Sequence, residues 1–146
     1  MSENKAIDVD EALKLDNQLC FPLYAASKEV VRRYTPFLNK LDLTYTQYIC
    51  LMALWENTEL TVGELGERLY LDSGTLTPLL KKLEAKGLVQ RRRSPDDERK
   101  VIVCLTDEGR ALKAQAAEIP LKMAACIDLT LEEAQQLRAL LEKVLR

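Results

Sequence analysis

At 146 residues, with 30% charged and 5% aromatic residues, the chain is long enough for one domain with a real core, and its composition suits a helical protein rather than a disordered or all-β one. No apolar run reaches the length of a membrane span and the start Met1-Ser2-Glu3-Asn4-Lys5 is polar, so no span and no signal peptide are expected and the chain is placed in the cytoplasm. The net charge is −2, there is no histidine, and the four cysteines (Cys20, Cys50, Cys104, Cys126) form no C-x-x-C pair, which speaks against a metal or other cofactor.

Residues 1–10 read as a frayed arm. From about residue 16 to 39 apolar side chains recur at helical spacing (Leu19, Leu23, Ala26, Val30, Tyr34, Leu38), with Asp16 or Asn17 as the cap. A second helix is predicted from residue 44 to about 56. Its stretch 48–55 is apolar nearly all round, which places it centrally. Thr61-Val62-Gly63-Glu64 has the spacing of a capping box and opens a short helix with Val62, Leu65 and Leu69 turned inward. After Leu71-Asp72, the next helix sets Leu76, Leu79, Leu80 and Leu83 on one face and leaves Thr75, Thr77, Pro78, Lys81 and Lys82 outside it. Proline is tolerated near a first turn, so this helix is expected to start nearer Thr75 than Ser73 and to stop at Gly87. Residues 88–93 and 100–105 read as two strands around the turn Ser94-Pro95-Asp96-Asp97. Thr106-Asp107-Glu108 opens a long helix to about residue 125, interrupted or bent near Pro120, and Thr130 caps a last helix over 131–146.

Charge is unevenly spread. Between residues 81 and 100, Lys81, Lys82, Lys86, Arg91, Arg92, Arg93, Arg99 and Lys100 stand against Glu84, Asp96, Asp97 and Glu98: eight minus four gives +4, leaving −6 elsewhere. A polar helix beside a basic hairpin suits one groove of duplex DNA and a grip on the next, so the chain is read as mainly α with a small β-hairpin wing, a winged helix-turn-helix. The DNA-binding lobe is expected at about 44–105. The helices of about 11–40 and 106–146 carry more apolar residues than one small core needs. Those residues are either ordinary core or a helical dimerisation region, and a two-fold homodimer would match a palindromic double-stranded operator.

The run Asp72-Ser73-Gly74-Thr75-Leu76-Thr77-Pro78-Leu79-Leu80-Lys81-Lys82-Leu83-Glu84, with Gly87-Leu88-Val89, Arg91, Asp97-Glu98-Arg99 and Leu105-Thr106-Asp107-Glu108-Gly109, resembles the MarR family of winged-helix regulators. Within it, Leu15-Asp16-Asn17-Gln18-Leu19-Cys20-Phe21, then Leu23-Tyr24, and Leu43-Thr44-Tyr45-Thr46-Gln47-Tyr48 are similar to the organic hydroperoxide-resistance regulators. The similarity runs over nearly the whole chain beyond the first ten residues. It implies a repressor, not an enzyme, that leaves its operator when an organic hydroperoxide oxidises a cysteine.

Residue by residue, the resemblance makes Cys20 the peroxide-sensing thiol, with Tyr34 and Tyr45 of the partner subunit reaching it and Tyr24 nearby. Cys126 falls where two-cysteine members carry a resolving thiol on the other subunit; one-cysteine members pair instead with small-molecule thiols. The physical case for Cys20 is its place near a helix start, where the dipole favours thiolate. Pro22 departs from the pattern and is expected to distort the helix there, while Cys50 and Cys104 read as packing. Ser73, Thr75, Thr77, Pro78, Lys81 and Lys82 are the candidate major-groove and phosphate contacts, and Arg91 a further phosphate contact. Arg99, oriented by Asp97, is the candidate for the minor groove, and Arg92 or Arg93 pair with the acidic wing or meet DNA. Two other functions stay open: a repressor released by a reversible small-molecule ligand, and a thiol peroxidase using Cys20.

Overall fold

The computed structural model describes residues 6–146, so the first five residues of the expected N-terminal arm lie outside it. Where the arm was expected to fray, Asp8 caps a single helical turn, α1 (Val9–Ala12), by accepting from the Asp10 and Glu11 amides. A 3-10 turn follows at Leu15–Asn17. The long helix α2 (Cys20–Asn39) therefore starts four residues later than the periodicity predicts, with Leu19 at its N-cap and no side-chain cap. Asn17 is occupied elsewhere: its amide donates to the Glu11 carbonyl at 2.7 Å, while Gln18 donates to Ala12 and Lys14 carbonyls at 2.8 and 2.7 Å. Those bonds satisfy the orphaned end of α1, and they take the expected cap away from α2. Pro22 is the third residue of α2. An amide there has no acceptor within the helix, so the proline fits and the expected distortion does not arise.

Helix α3 (Tyr45–Asn57) begins with a reciprocal box, Thr44 accepting from the Gln47 amide and the Gln47 side chain accepting from the Thr44 amide. It carries Tyr48, Cys50, Leu51, Ala53 and Leu54 into the core. Thr61 and Glu64 make the predicted box at the start of α4 (Val62–Leu69), of which Leu65 is fully buried. Helix α5 (Ser73–Ala85) starts at Ser73, not Thr75, because the Asp72 carboxylate accepts from the Thr75 amide at 2.7 Å and fixes the first turn. Pro78 then lies in the second turn and leaves the Gly74 carbonyl without its helical donor. Burial of Leu76, Leu79, Leu80 and Leu83 on the opposite face outweighs that loss, each worth about 1.5–3 kcal/mol. Gly87, at φ 74°, ends the helix as predicted.

The wing is larger than a hairpin. Strands β2 (Val89–Arg93) and β3 (Val101–Leu105) pair antiparallel, and a third strand, β1 (Glu59–Thr61), lies on the other side of β3 in the order β1-β3-β2. Its middle residue, Leu60, is buried opposite Val103. The helix after the sheet is broken into α6 (Asp107–Ala116) and α7 (Ile119–Cys126), with Pro120 at the start of the second piece. Gly109 is required where α6 passes the connection between α5 and β2, since a Cβ there would lie 2.1 Å from the Leu88 carbonyl oxygen. The Gly109 carbonyl in turn accepts from the Trp55 indole at 2.8 Å and ties α6 to α3. Helix α8 (Leu131–Val144), boxed by Thr130 and Glu133, buries no residue within the chain. Leu131, Leu137, Leu140, Val144 and Leu145 stay exposed at that end, as do Ile7, Val9, Leu13, Leu15, Leu19 and Phe21 at the other. No helix among the described residues is long and apolar enough to cross a membrane.

Candidate DNA-reading face and thiol pair

With its leucines inward, α5 turns Ser73, Thr75, Pro78, Lys81 and Lys82 to solvent, while Thr77 is half-buried. Thr77 also lines a cleft with Arg91, Arg99 and Lys100, so recognition helix and wing share one surface. At the wing tip the Arg99 guanidinium lies across the Asp97 carboxylate, Nε to Oδ1 at 3.1 Å and Nη2 to Oδ2 at 3.3 Å, and its own amide donates to Oδ1 as well. These bonds hold the Asp97 carboxyl below the usual carboxylate range, the Arg99 side chain contributing most. The Arg99 side chain is nonetheless 91% exposed. It is thus held in one direction while remaining open to a partner, which lowers the entropy cost of contact.

Half of the basic residues that the sequence groups together are taken up by partners within the chain. Lys86 donates to Asp42 and, at 3.1 Å, to Gln47, bracing the end of α5 against the start of α3. Arg91 is bound by Glu84, Arg92 reaches Glu59 at 3.0 Å across the sheet, and Arg93 donates to the Glu98 carbonyl at 2.8 Å. Lys81, Lys82 and Lys100 make no ion pair among the described residues, and with Arg99 they form the outward positive surface. Glu84 and Lys86 as braces were not legible in the sequence, since each partner lies in a different element.

Cys20 is the first residue of α2 and is exposed; Cys126 is the last residue of α7 and is exposed too. Cys50 is buried in α3, and burial pushes its thiol up to about 12. Cys104 is half-buried on β3 with its sulfur 3.7 Å from the Gln90 carbonyl. Tyr34 and Tyr45 meet with ring centroids 5.0 Å apart, and Tyr48, which the sequence reading passed over, completes the cluster at 5.7 and 6.4 Å. Burial, first of all, raises all three phenols, so they stay protonated and able to donate. Tyr24 is exposed and takes a hydrogen bond from Lys28 at 3.3 Å.

Cys20 and Tyr34 sit at opposite parts of α2, separated by roughly 21 Å along its axis. A chain cannot bring its own Tyr34 to its own Cys20. The same holds for Cys126, which lies against Glu29, Arg32, Arg33, Pro36 and Phe37 of α2. Even Glu29, the nearest of these to Cys20 along the helix, is roughly 13 Å from its start. A disulfide needs the two Cα atoms within about 7 Å, so in this fold the two thiols of one chain do not pair with each other.

Known proteins give the arrangement a context. The description "Transcriptional regulator SarA/Rot" matches residues 32–116. The organic hydroperoxide resistance transcriptional regulator of Bacillus subtilis is 49% identical over 133 residues, spanning 91% of this chain and 90% of its own length. Reduced AbfR bound to DNA superposes with a TM-score of 0.78 at 36% identity, over 93% of this chain and 94% of that one; AbfR is a protein of Staphylococcus epidermidis. The disulfide form of AbfR, at 34% identity over 94% of this chain and 96% of that one, superposes less well, at 0.67. Reduced MarR of E. coli is 30% identical over 88% of this chain and 97% of that one, with a TM-score of 0.68, and fold, motif and relatives agree: the chain belongs to the MarR family of winged-helix transcriptional regulators, in its organic hydroperoxide-resistance branch.

Proposed function

We propose that the chain is a homodimeric repressor that holds a palindromic double-stranded operator while reduced and leaves it when an organic hydroperoxide oxidises Cys20. The observation that carries this reading is the match in shape. At nearly equal identity the chain lies closer to AbfR bound to DNA, 0.78 for both its reduced and its overoxidized form, than to the disulfide-linked form, 0.67. In the dimer the exposed apolar residues of α8 and of the N-terminal segment are covered by the second copy, and residues about 44–105 form the DNA-binding lobe. Ser73, Thr75, Thr77, Pro78, Lys81 and Lys82 face the major groove and its phosphates, and Arg99, steadied by Asp97, enters the minor groove.

The Cys20 thiolate attacks one peroxide oxygen, the O–O bond breaks, and the alkoxide leaves to take up a proton as alcohol. Sulfur is oxidised to sulfenic acid and the peroxide is reduced. The partner's Tyr34 and Tyr45, protonated by virtue of their burial, donate to the thiolate and hold it for attack. The thiol of Cys126 from the other copy then condenses with the sulfenic acid, releasing water and forming the disulfide. A small-molecule thiol in the same role gives a mixed disulfide.

The test is a gel-shift titration with cumene hydroperoxide on wild type and Cys20→Ser, using a duplex that the wild-type protein selects from a random pool. The expected result is loss of binding at near-stoichiometric peroxide for wild type alone. Release of Cys20→Ser by peroxide overturns the sensing role. Catalytic turnover of peroxide with added reductant would favour a thiol peroxidase, and insensitivity of both proteins a repressor released by a reversible ligand.

A further inference from the structure

Glu84 occupies an odd place for an acidic residue. It lies in the last turn of α5, on the helix that carries Lys81 and Lys82 toward the phosphates, where a bare carboxylate would repel DNA. It is not bare. Its Oε2 accepts from the Arg91 main-chain amide at 3.0 Å and from Nε at 3.4 Å, and its Oε1 accepts from Nη2 at 3.3 Å. Strand β2 is the outer strand of the sheet, so an amide on its far edge has no ladder partner. The carboxylate supplies one and grips the guanidinium of the same residue. Two kinds of donor from one residue fix both the angle of β2 to α5 and the direction of the arginine side chain, which is only 25% exposed.

We propose that Glu84 is a specificity-determining positioning residue: it fixes the root of the wing to the recognition helix and withholds Arg91 from the DNA phosphates. Both effects favour the operator over other sequences. Arg91 on a phosphate would strengthen binding to any duplex equally, since phosphates carry no sequence information. The root angle matters because the wing is a lever. Arg99 lies about four residues of extended strand beyond Arg91, or roughly 12 Å, and a tilt of about 10° at the root moves the tip by roughly 2 Å. That exceeds the tolerance of a hydrogen bond to a base edge or groove wall. The proposal rests on the operator-binding function above, and concerns which sequences are bound rather than how peroxide acts.

Glu84→Gln keeps an oxygen for the Arg91 amide and removes the charge that binds the guanidinium. The experiment measures affinity for the selected duplex and for a scrambled duplex of the same composition, at several salt concentrations, alone and combined with Arg99→Ala. Three results are expected of Glu84→Gln. Binding to the scrambled duplex tightens, with a salt slope steeper by about one phosphate contact. The ratio of selected to scrambled affinity falls by roughly tenfold. Arg99→Ala costs less in this background than in wild type, because the tip is already misplaced. The double variant Glu84→Gln, Arg91→Gln, which keeps an amide pair without a free cation, returns scrambled binding to the wild-type level and still loses the coupling to Arg99. It also serves if the single variant fails to fold. An unchanged affinity ratio together with an unchanged cost of Arg99→Ala would reduce Glu84 to a cap on the strand edge and overturn the proposal. A wild-type protein that selects no sequence at all overturns the operator-binding reading itself.

Discussion

The Arg33 guanidinium, in the middle of α2, donates to the main-chain carbonyl of Cys126 at the end of α7, 2.6 Å away. This bond anchors the second thiol to a point on α2 far from Cys20, which starts the same helix. Oxidation that links Cys20 to the partner's Cys126 therefore joins one α2 to the other through a short strap. Helix α2 packs on α3 through the tyrosine cluster, so a pull on it is felt by the reading heads. Peroxide is expected to give a reductant-reversible covalent dimer on non-reducing gels, absent in Cys20→Ser and in Cys126→Ser. Persistence of the band in Cys126→Ser would assign the second thiol to Cys104, the remaining cysteine with surface exposure.

Thiol reactivity should follow burial. Cys50 is fully buried and its thiol is pushed up to about 12, so it carries almost no thiolate near neutrality. Iodoacetamide at pH 8 followed by mass spectrometry is expected to label Cys20 and Cys126 in the folded protein and Cys50 only after denaturation. Labelling of Cys50 at the rate of Cys20 in native buffer would contradict the placement of α3 in the core.

Arg99→Ala is expected to weaken binding to the selected duplex by about 1–3 kcal/mol, the range for a specific groove contact. The guanidinium is exposed yet already fixed by Asp97, so Asp97→Ala should lose part of the same energy by freeing it. Equal affinity of Arg99→Ala and wild type in a fluorescence-anisotropy titration would remove the wing tip from the interface.

Leu140 on α8 is 59% exposed within the chain. In a two-fold dimer every contact occurs twice, so Leu140→Glu should cost the association roughly 3–6 kcal/mol, twice the value of burying one leucine. Sedimentation equilibrium is expected to show a dimer for wild type and a folded monomer for the variant. A variant that stays dimeric at micromolar concentration would move the interface off this face.

Glu29 sits between Arg32 and Arg33, whose hydrogen bonds lower its pKa from 4.5 to about 2. A carboxylate lowered in this way contributes stability above its ordinary value, and that contribution fades as pH falls from about 4.5 toward about 2. The Glu29 side chain is still 38% exposed, so the contribution is also screened by salt. Urea midpoints of wild type and Glu29→Gln should differ at pH 6 in low salt and converge near pH 2 or in 1 M salt. A gap that persists at low pH would mean that the charge is not its source.

Local chemistry decided what the sequence could announce. The Leu76–Leu79–Leu80–Leu83 stripe, the boxes at Thr61 and Thr130, the stop at Gly87, the paired strands of the wing and the break before Pro120 all depend on residues within a few positions of one another. Spacing alone carries such features, the run from Asp72 to Gly109 carried the family, and the motif around Cys20 its branch. The first boundary of α2 was misread because Asn17 bonds backward to α1, a choice that periodicity does not encode. Strand β1 was missed because three residues are too few to show an alternation, and only Val103 and its neighbours across the sheet make them a strand.

What the tertiary structure alone decided is where each charge and each thiol ends up. In the sequence, Lys86, Arg91, Arg92 and Arg93 stand equal with Lys81, Lys82, Lys100 and Arg99. In space the first four are bound by Asp42 and Gln47, Glu84, Glu59 and the Glu98 carbonyl, while Lys81, Lys82 and Lys100 make no ion pair among the described residues and Arg99, though held by Asp97, stays 91% exposed. For Cys20 and Cys126 the resemblance implied a pairing across two subunits, and the length of α2 and the Arg33 anchor supply the physical reason that they lie apart within one chain. The reason is the same in both cases: an ion pair or a disulfide depends on distances of a few ångströms between elements far apart in sequence, and only the packing of those elements sets them.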